Sequence, residues 1–184
     1  MSHINKSMLI LAMLTSTTIA NAEESKFNIK TAPVSALIGI TNVELDIAVS
    51  DHFTAGPLYA GFNFEHSDVD YDADAFGFRI NYYFDKALAG GWLISLSGLY
   101  GDFQISEENN GITYSATTAT RAYTALFSYQ AMWKHFNMTF GLGASYFSLP
   151  NTVTAVEGVD VLNIDTSFLS GATPNAEFTI GWRF

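Results

Sequence analysis

Asp68-Val-Asp-Tyr-Asp-Ala-Asp74 sets four carboxylates at every second position, and oxygens so spaced could serve Ca²⁺ or Mg²⁺. The EF-hand pattern is not met, because neither its glycine nor its closing Glu is in place. A solvated acidic loop is the expectation, with no metal site. Acyl hydrolysis would need a Ser and a His within hydrogen-bond reach and a carboxylate orienting the base. Beyond the first residues the histidines are His52, His66 and His135. His66-Ser67-Asp68 is consecutive, and neighbours in an extended segment point apart. No catalytic residue and no cofactor is expected. The third constellation is charge at alternating positions: Glu44 and Asp46, Arg79 and Asn81, Glu177 and Arg183. Such groups tolerate burial only as paired, hydrogen-bonded sets.

These charges take their meaning from the elements that carry them. In Asn175–Phe184, Ala176, Phe178, Ile180, Trp182 and Phe184 share one side of an extended chain. Asn175, Glu177, Thr179, Gly181 and Arg183 share the other. A membrane barrel turns such a polar face inward. The aromatic ending, with apolar residues at every second position before it, resembles the C-terminal sorting signal of Gram-negative outer-membrane β-barrels. That resemblance implies that Phe178, Ile180, Trp182 and Phe184 engage the outer-membrane assembly machinery.

Composition agrees. Lys6, the apolar Met8–Met13 and Ala20-Asn21-Ala22 form an export signal with a cleavage site after Ala22. Residues 23–184 are then one domain. There is no cysteine, which removes disulfides, thiolate chemistry and a lipoprotein anchor. Losing Lys6 with the signal takes the net charge from −10 to −11, so nucleic acid is not an expected partner. Aromatic residues reach 15%, yet no later apolar run approaches helix-spanning length. That is the pattern of transmembrane strands.

The alternation predicts eight strands: Phe27–Ile38, Val43–Val49, Thr54–Glu65, Ala75–Phe84, Trp92–Gly101, Thr117–Ala131, Phe136–Phe147 and Asn175–Phe184. Pro33 weakens the first. A short turn is expected at Gly39–Asn42, short turns at Ser50–His52, Asp85–Gly91 and Met132–His135, and longer loops at His66–Asp74, Asp102–Ser115 and Leu149–Pro174. Val159–Ile164 could add a short strand inside the last loop. Short periplasmic turns and long external loops are the asymmetry of a barrel with both termini in the periplasm, and Gly39–Asn42 is the exception.

Over Phe27–Phe184 the pattern resembles the small eight-stranded outer-membrane barrels of the OmpA transmembrane domain and OmpX type. The fold class expected is all-β, an antiparallel up-and-down transmembrane barrel in the Gram-negative outer membrane. Polar-face residues, with Tyr59, Asn63, Ser95, Ser97, Thr139 and Ser145 beside the charged ones, should fill the lumen as a bonded plug centred on Arg79. Lipids and lipopolysaccharide are the expected partners, with Arg121 positioned for an outer-interface phosphate. The leading reading is a structural or surface-interaction protein with acidic external loops (Asp68–Asp74, Glu107–Asn110, Glu157–Asp165). A narrow channel for ions or small solutes comes second and a lipid A-modifying enzyme third.

Overall fold

The computed structural model describes residues 26–66, 69–109, 112–149, 152–157, 160–165 and 170–184. The export signal and its cleavage site lie outside them. In chain order the elements are β1 (Phe27–Thr31), α1 (Pro33–Ala36), β2 (Ile40–Ala48), β3 (Phe53–His66), β4 (Val69–Tyr83), β5 (Gly91–Asn109), β6 (Ile112–Trp133), β7 (Phe136–Ser148), β8 (Thr152–Glu157), β9 (Asp160–Asp165) and β10 (Gly171–Arg183). Eight of the strands close into a barrel in the order β1-β10-β7-β6-β5-β4-β3-β2, with β8-β9 a separate pair. All pairings are antiparallel.

The register fixes the barrel's width. The paired positions run Gly181, Lys30, Glu44, Leu58, Gly77, Leu99, Ala122, Phe147, Gly171, so one circuit returns to β10 ten residues from its start. With eight strands, that stagger means a tilt of about 40° and a backbone radius of roughly 8 Å. Long side chains from opposite walls meet at that radius. The closing strands are joined by Phe27 N–H to Phe184 O at 3.1 Å and Phe184 N–H to Phe27 O at 3.0 Å.

Period-two alternation sorts the side chains. Phe76, Phe78, Ile80 and Tyr82 project outward and are exposed, while Arg79, Asn81 and Tyr83 point inward and are buried. Around the barrel, the outer face next to the terminal end is therefore apolar and aromatic.

The structure corrects several expectations. β1 stops at Thr31 instead of Ile38, because Pro33 lacks a ladder donor and starts the one-turn α1. The expected turn at Gly39–Asn42 is mostly strand, since β2 begins at Ile40. Much of the expected loops His66–Asp74 and Asp102–Ser115 is strand: β4 begins at Val69, β5 runs to Asn109 and β6 begins at Ile112. Their outward Asp70 and Asp102 are exposed, so charge does not oppose pairing there. The Leu149–Pro174 connection contains β8 and β9, and β10 starts at Gly171. The short strand expected at Val159–Ile164 falls on β9.

An apolar cluster lies at each end of the lumen. At the end carrying the chain termini, Leu88 from the β4–β5 turn packs with Tyr83 and Leu93, all at most 1% exposed. At the far end Ala73, Phe103 and Ile105 form the second cluster, with Phe62, Tyr71 and Leu149 against it.

Candidate functional site

Between these clusters lies a charge network. Inward parity on β1, β2, β4 and β10 delivers Lys30, Glu44 and Asp46, Arg79, and Glu177 to one region of the lumen. Arg79 donates through Nη1 to Glu44 Oε2 at 2.8 Å. It grips Glu177 with two prongs, Nη1 to Oε1 and Nη2 to Oε2, each 2.8 Å. Such bidentate pairing is the strongest and most directional form of guanidinium contact. Lys30 Nζ stands 2.7 Å from Glu44 Oε1 and 2.9 Å from Asp46 Oδ2. The Lys30, Glu44, Asp46 and Arg79 side chains are at most 4% exposed, and Glu177 is 15% exposed.

Amides extend the network toward the termini. Asn81 Nδ2 donates to Asp46 Oδ1 at 2.7 Å and to Thr54 Oγ1 at 3.0 Å. Asn28 Nδ2 donates to Asp46 Oδ2 at 3.3 Å, and Asn137 Nδ2 to Asn28 Oδ1 at 2.7 Å. Gln130 Nε2 joins Asn137 Oδ1 at 3.1 Å. Gly181 sits among these groups: a Cβ there would lie 2.7 Å from both Lys30 Cγ and Asn137 Oδ1. The network thus fills a space that one added methyl would invade.

Glu44, Asp46, Arg79, Asn81 and Glu177 come together; Arg183 does not join them. Arg183 lies at the terminal rim, donating to Leu88 O at 2.6 Å and Lys134 O at 2.9 Å. It pins two turns instead of pairing a carboxylate. Tyr59 and Asn63 are also absent from the lumen. Tyr59 points outward, its ring 4.9 Å from that of Phe76 and its hydroxyl donating to Asp74. Asn63 bonds Asp72 at 3.2 Å on the same outer face. The inward positions of β3 are instead Thr54, Gly56, Leu58, Ala60 and Phe62, and Phe62 packs on the apolar cluster at the far end.

Lys30 is the residue sequence reading missed. Asn28 and Lys30 alternate with Phe27, Ile29 and Thr31, a pattern that shows once β1 is cut at Pro33.

Phe178, Ile180 and Trp182 lie on the outward face of β10 with Phe184 just past its end, and the Phe178 ring is tilted 34° to that of Phe140 at 4.8 Å. Arg121 is exposed on β6, 6.0 Å from the Tyr100 ring. Asp70, Asp72 and Asp74 run along the outer face of β4 at alternate positions, roughly 7 Å apart. Among the described residues no group of three His, Asp or Glu is placed to hold a metal ion. His52 Nδ1 lies 3.1 Å from Tyr83 O and His135 Nδ1 2.9 Å from Arg183 O. Both imidazoles are engaged with backbone at the terminal end. The His66 side chain and the expected acidic stretches Glu107–Asn110 and Glu157–Asp165 fall outside the described side chains.

A family profile described as "Protein of unknown function (DUF3575)" matches residues 7–161. The chain belongs to the DUF3575 family. No curated protein matches it. Among solved structures, this DUF3575 chain is similar to a major outer membrane protein from Thermus thermophilus, at TM-score 0.50 and 11% identity over 88% of this chain and 100% of that one. It is also similar to the N-terminal β-barrel domain of Pseudomonas aeruginosa OprF, at TM-score 0.49 and 12% identity over 88% and 98% of the two chains. For Neisserial surface protein A the values are 0.45 and 14% over 86% and 92%. The likeness to the Thermus protein is one of fold: a small β-barrel whose whole length this DUF3575 chain spans.

Proposed function

We propose that this protein is an integral outer-membrane barrel with a closed lumen, serving a structural or surface-interaction role and not transport or catalysis. One observation carries the closed lumen. Arg79 on β4 and Glu177 on β10 come from strands four apart in either direction round the ring, and they bond at its centre. Glu44 and Lys30 continue that bridge along β2 and β1. The apolar aromatic exterior supports a lipid surround, since only helices and closed barrels satisfy every backbone group in hydrocarbon.

In this reading the terminal end faces the periplasm and β5 and β6 project beyond the outer surface. Arg121, over Tyr100, offers a cation to lipopolysaccharide phosphates at the outer interface. The outward face of β10 is the surface that the assembly machinery meets. Refolding the protein into phospholipid vesicles tests the placement. A folded band that shifts on boiling and strands that resist added protease support it; a chain that stays in the aqueous phase overturns it.

A further inference from the structure

The barrel wall is incomplete on one side. β10 pairs with β7 from Gly171 to Trp182, but with β1 only from Ile180 to Arg183. β2 in turn meets β1 only from Val43 to Ile47. Beyond Thr31, toward the far end, β10 and β2 are therefore separated by a notch. The segment Ala32–Gly39, with α1, occupies it.

That segment does not mend the wall. Its backbone bonds are internal, Ala36 N–H to Ala32 O at 3.2 Å and Leu37 N–H to Val34 O at 3.2 Å among them. Among the described residues its one backbone bond to a strand is Asn63 N–H to Gly39 O at 3.2 Å, on β3. Among the described residues no backbone bond joins it to β10. Unpaired backbone in hydrocarbon is costly, so a wall left this way calls for a reason. The cover itself is apolar and open: Val34, Leu37 and Ile38 are exposed.

Behind the notch the lumen changes character. Ala60, Ala75, Gly101 and Thr120 are paired in sequence across β3 to β6, all inward and all small. One step nearer the termini, Gly77, Leu99 and Ala122 follow. Ala60, Gly77, Leu99, Gly101, Thr120 and Ala122 are only half-buried although they face the lumen, so space remains beside them. Arg79 and Glu177 floor this space, and Phe62 and Phe103, with rings 5.8 Å apart, stand beyond it on the β3 and β5 side. The floor's carboxylates are paired with Arg79 and Lys30, and the small wall residues above them are uncharged.

We infer that the notch between β10 and β2 is a lateral portal covered by α1, and that the chamber behind it binds a single hydrocarbon chain entering from the bilayer. The clasped charges of the floor block onward passage toward the terminal end, so this is a binding site and not a channel. The inference rests on the outer-membrane reading above. A free hydrocarbon and a lipid's own acyl chain share the required chemistry.

The test is methyl NMR on the full barrel in nanodiscs made with chain-deuterated phospholipid, with decane as the probe. Cross-peaks between decane and the methyls of Ala75 and Ala60 are expected; the converse labelling, with protonated lipid and no decane, tells whether lipid chains enter instead. Ala122→Phe should fill the chamber and remove the cross-peaks. Pro33→Val should restore a ladder donor, extend amide protection along residues 32–38 and reduce them at least several-fold. Absence of contacts to either chain in an inserted barrel overturns the inference and leaves the outer-membrane reading standing. Contacts unchanged in both variants also overturn it. A barrel that will not enter nanodiscs overturns both.

Discussion

Arg79 and Glu177, on strands facing each other across the full width of the barrel, clasp through two parallel hydrogen bonds of 2.8 Å each. The same guanidinium reaches Glu44 on β2, so one side chain ties three strands together inside the lumen. Charges this buried are stable only as a set. Their mutual attraction has to offset the loss of water around each.

Arg79→Met should therefore strand Glu177 and lower the unfolding free energy by about 3–5 kcal/mol. Adding Glu177→Leu should recover a large part of that loss, because Glu44 keeps Lys30 at 2.7 Å. Urea titration of both variants in vesicles measures this. Losses that simply add, or an unchanged midpoint in Arg79→Met, would contradict the bridge.

Gly181→Val tests how full the terminal half of the lumen is. A Cβ at this site meets Lys30 Cγ and Asn137 Oδ1, each at 2.7 Å. Overpacking of this kind costs about 1–3 kcal/mol. Gly171 has nothing within 4 Å of its Cβ direction but a φ of +118°, so Gly171→Val strains only the local backbone. Unfolding midpoints should rank wild type above Gly171→Val and Gly181→Val lowest.

Charge alternation made much of this fold readable in advance. β7, β10 and the part of β4 from Phe76 onward keep one polar and one apolar parity, so Arg79, Thr139 and Glu177 could be placed inward directly. β3 could not be read this way. Its inward Leu58 and Phe62 are apolar and its outward Tyr59 and Asn63 are polar, since it contributes to the apolar cluster at the far mouth. Lys30 was hidden because the strand expected through Ile38 blurred a clean pattern that ends at Thr31. The extensions of β4, β5 and β6 were hidden for a different reason. Acidic outward residues look like loop, yet ladder pairing needs only that charge face solvent.

Trp92, Trp133 and Trp182 are all exposed at the terminal end. Indole rings favour the membrane interface. Depth-dependent quenching with brominated lipids should be strongest for bromines near the headgroup and weak at the bilayer centre. Strongest quenching from mid-chain bromines would misplace the barrel in the membrane.

Phe184 separates assembly from stability. Its ring is exposed and stacks 6.3 Å from Phe27, so Phe184→Ala should leave refolding into vesicles nearly unchanged. In cells the same change should cut the amount reaching the outer membrane several-fold. Equal membrane levels, measured by fractionation, would remove the sorting role.

The closed lumen is tested most directly by single-channel recording of the refolded barrel in a planar bilayer. With Arg79 and Glu177 clasped across the axis and apolar clusters at both mouths, inserted protein should give no steady conductance, while Arg79→Ala combined with Leu88→Gly should leak. Stable, reproducible openings from the wild-type barrel would contradict the plug and make passage of ions or small solutes its function.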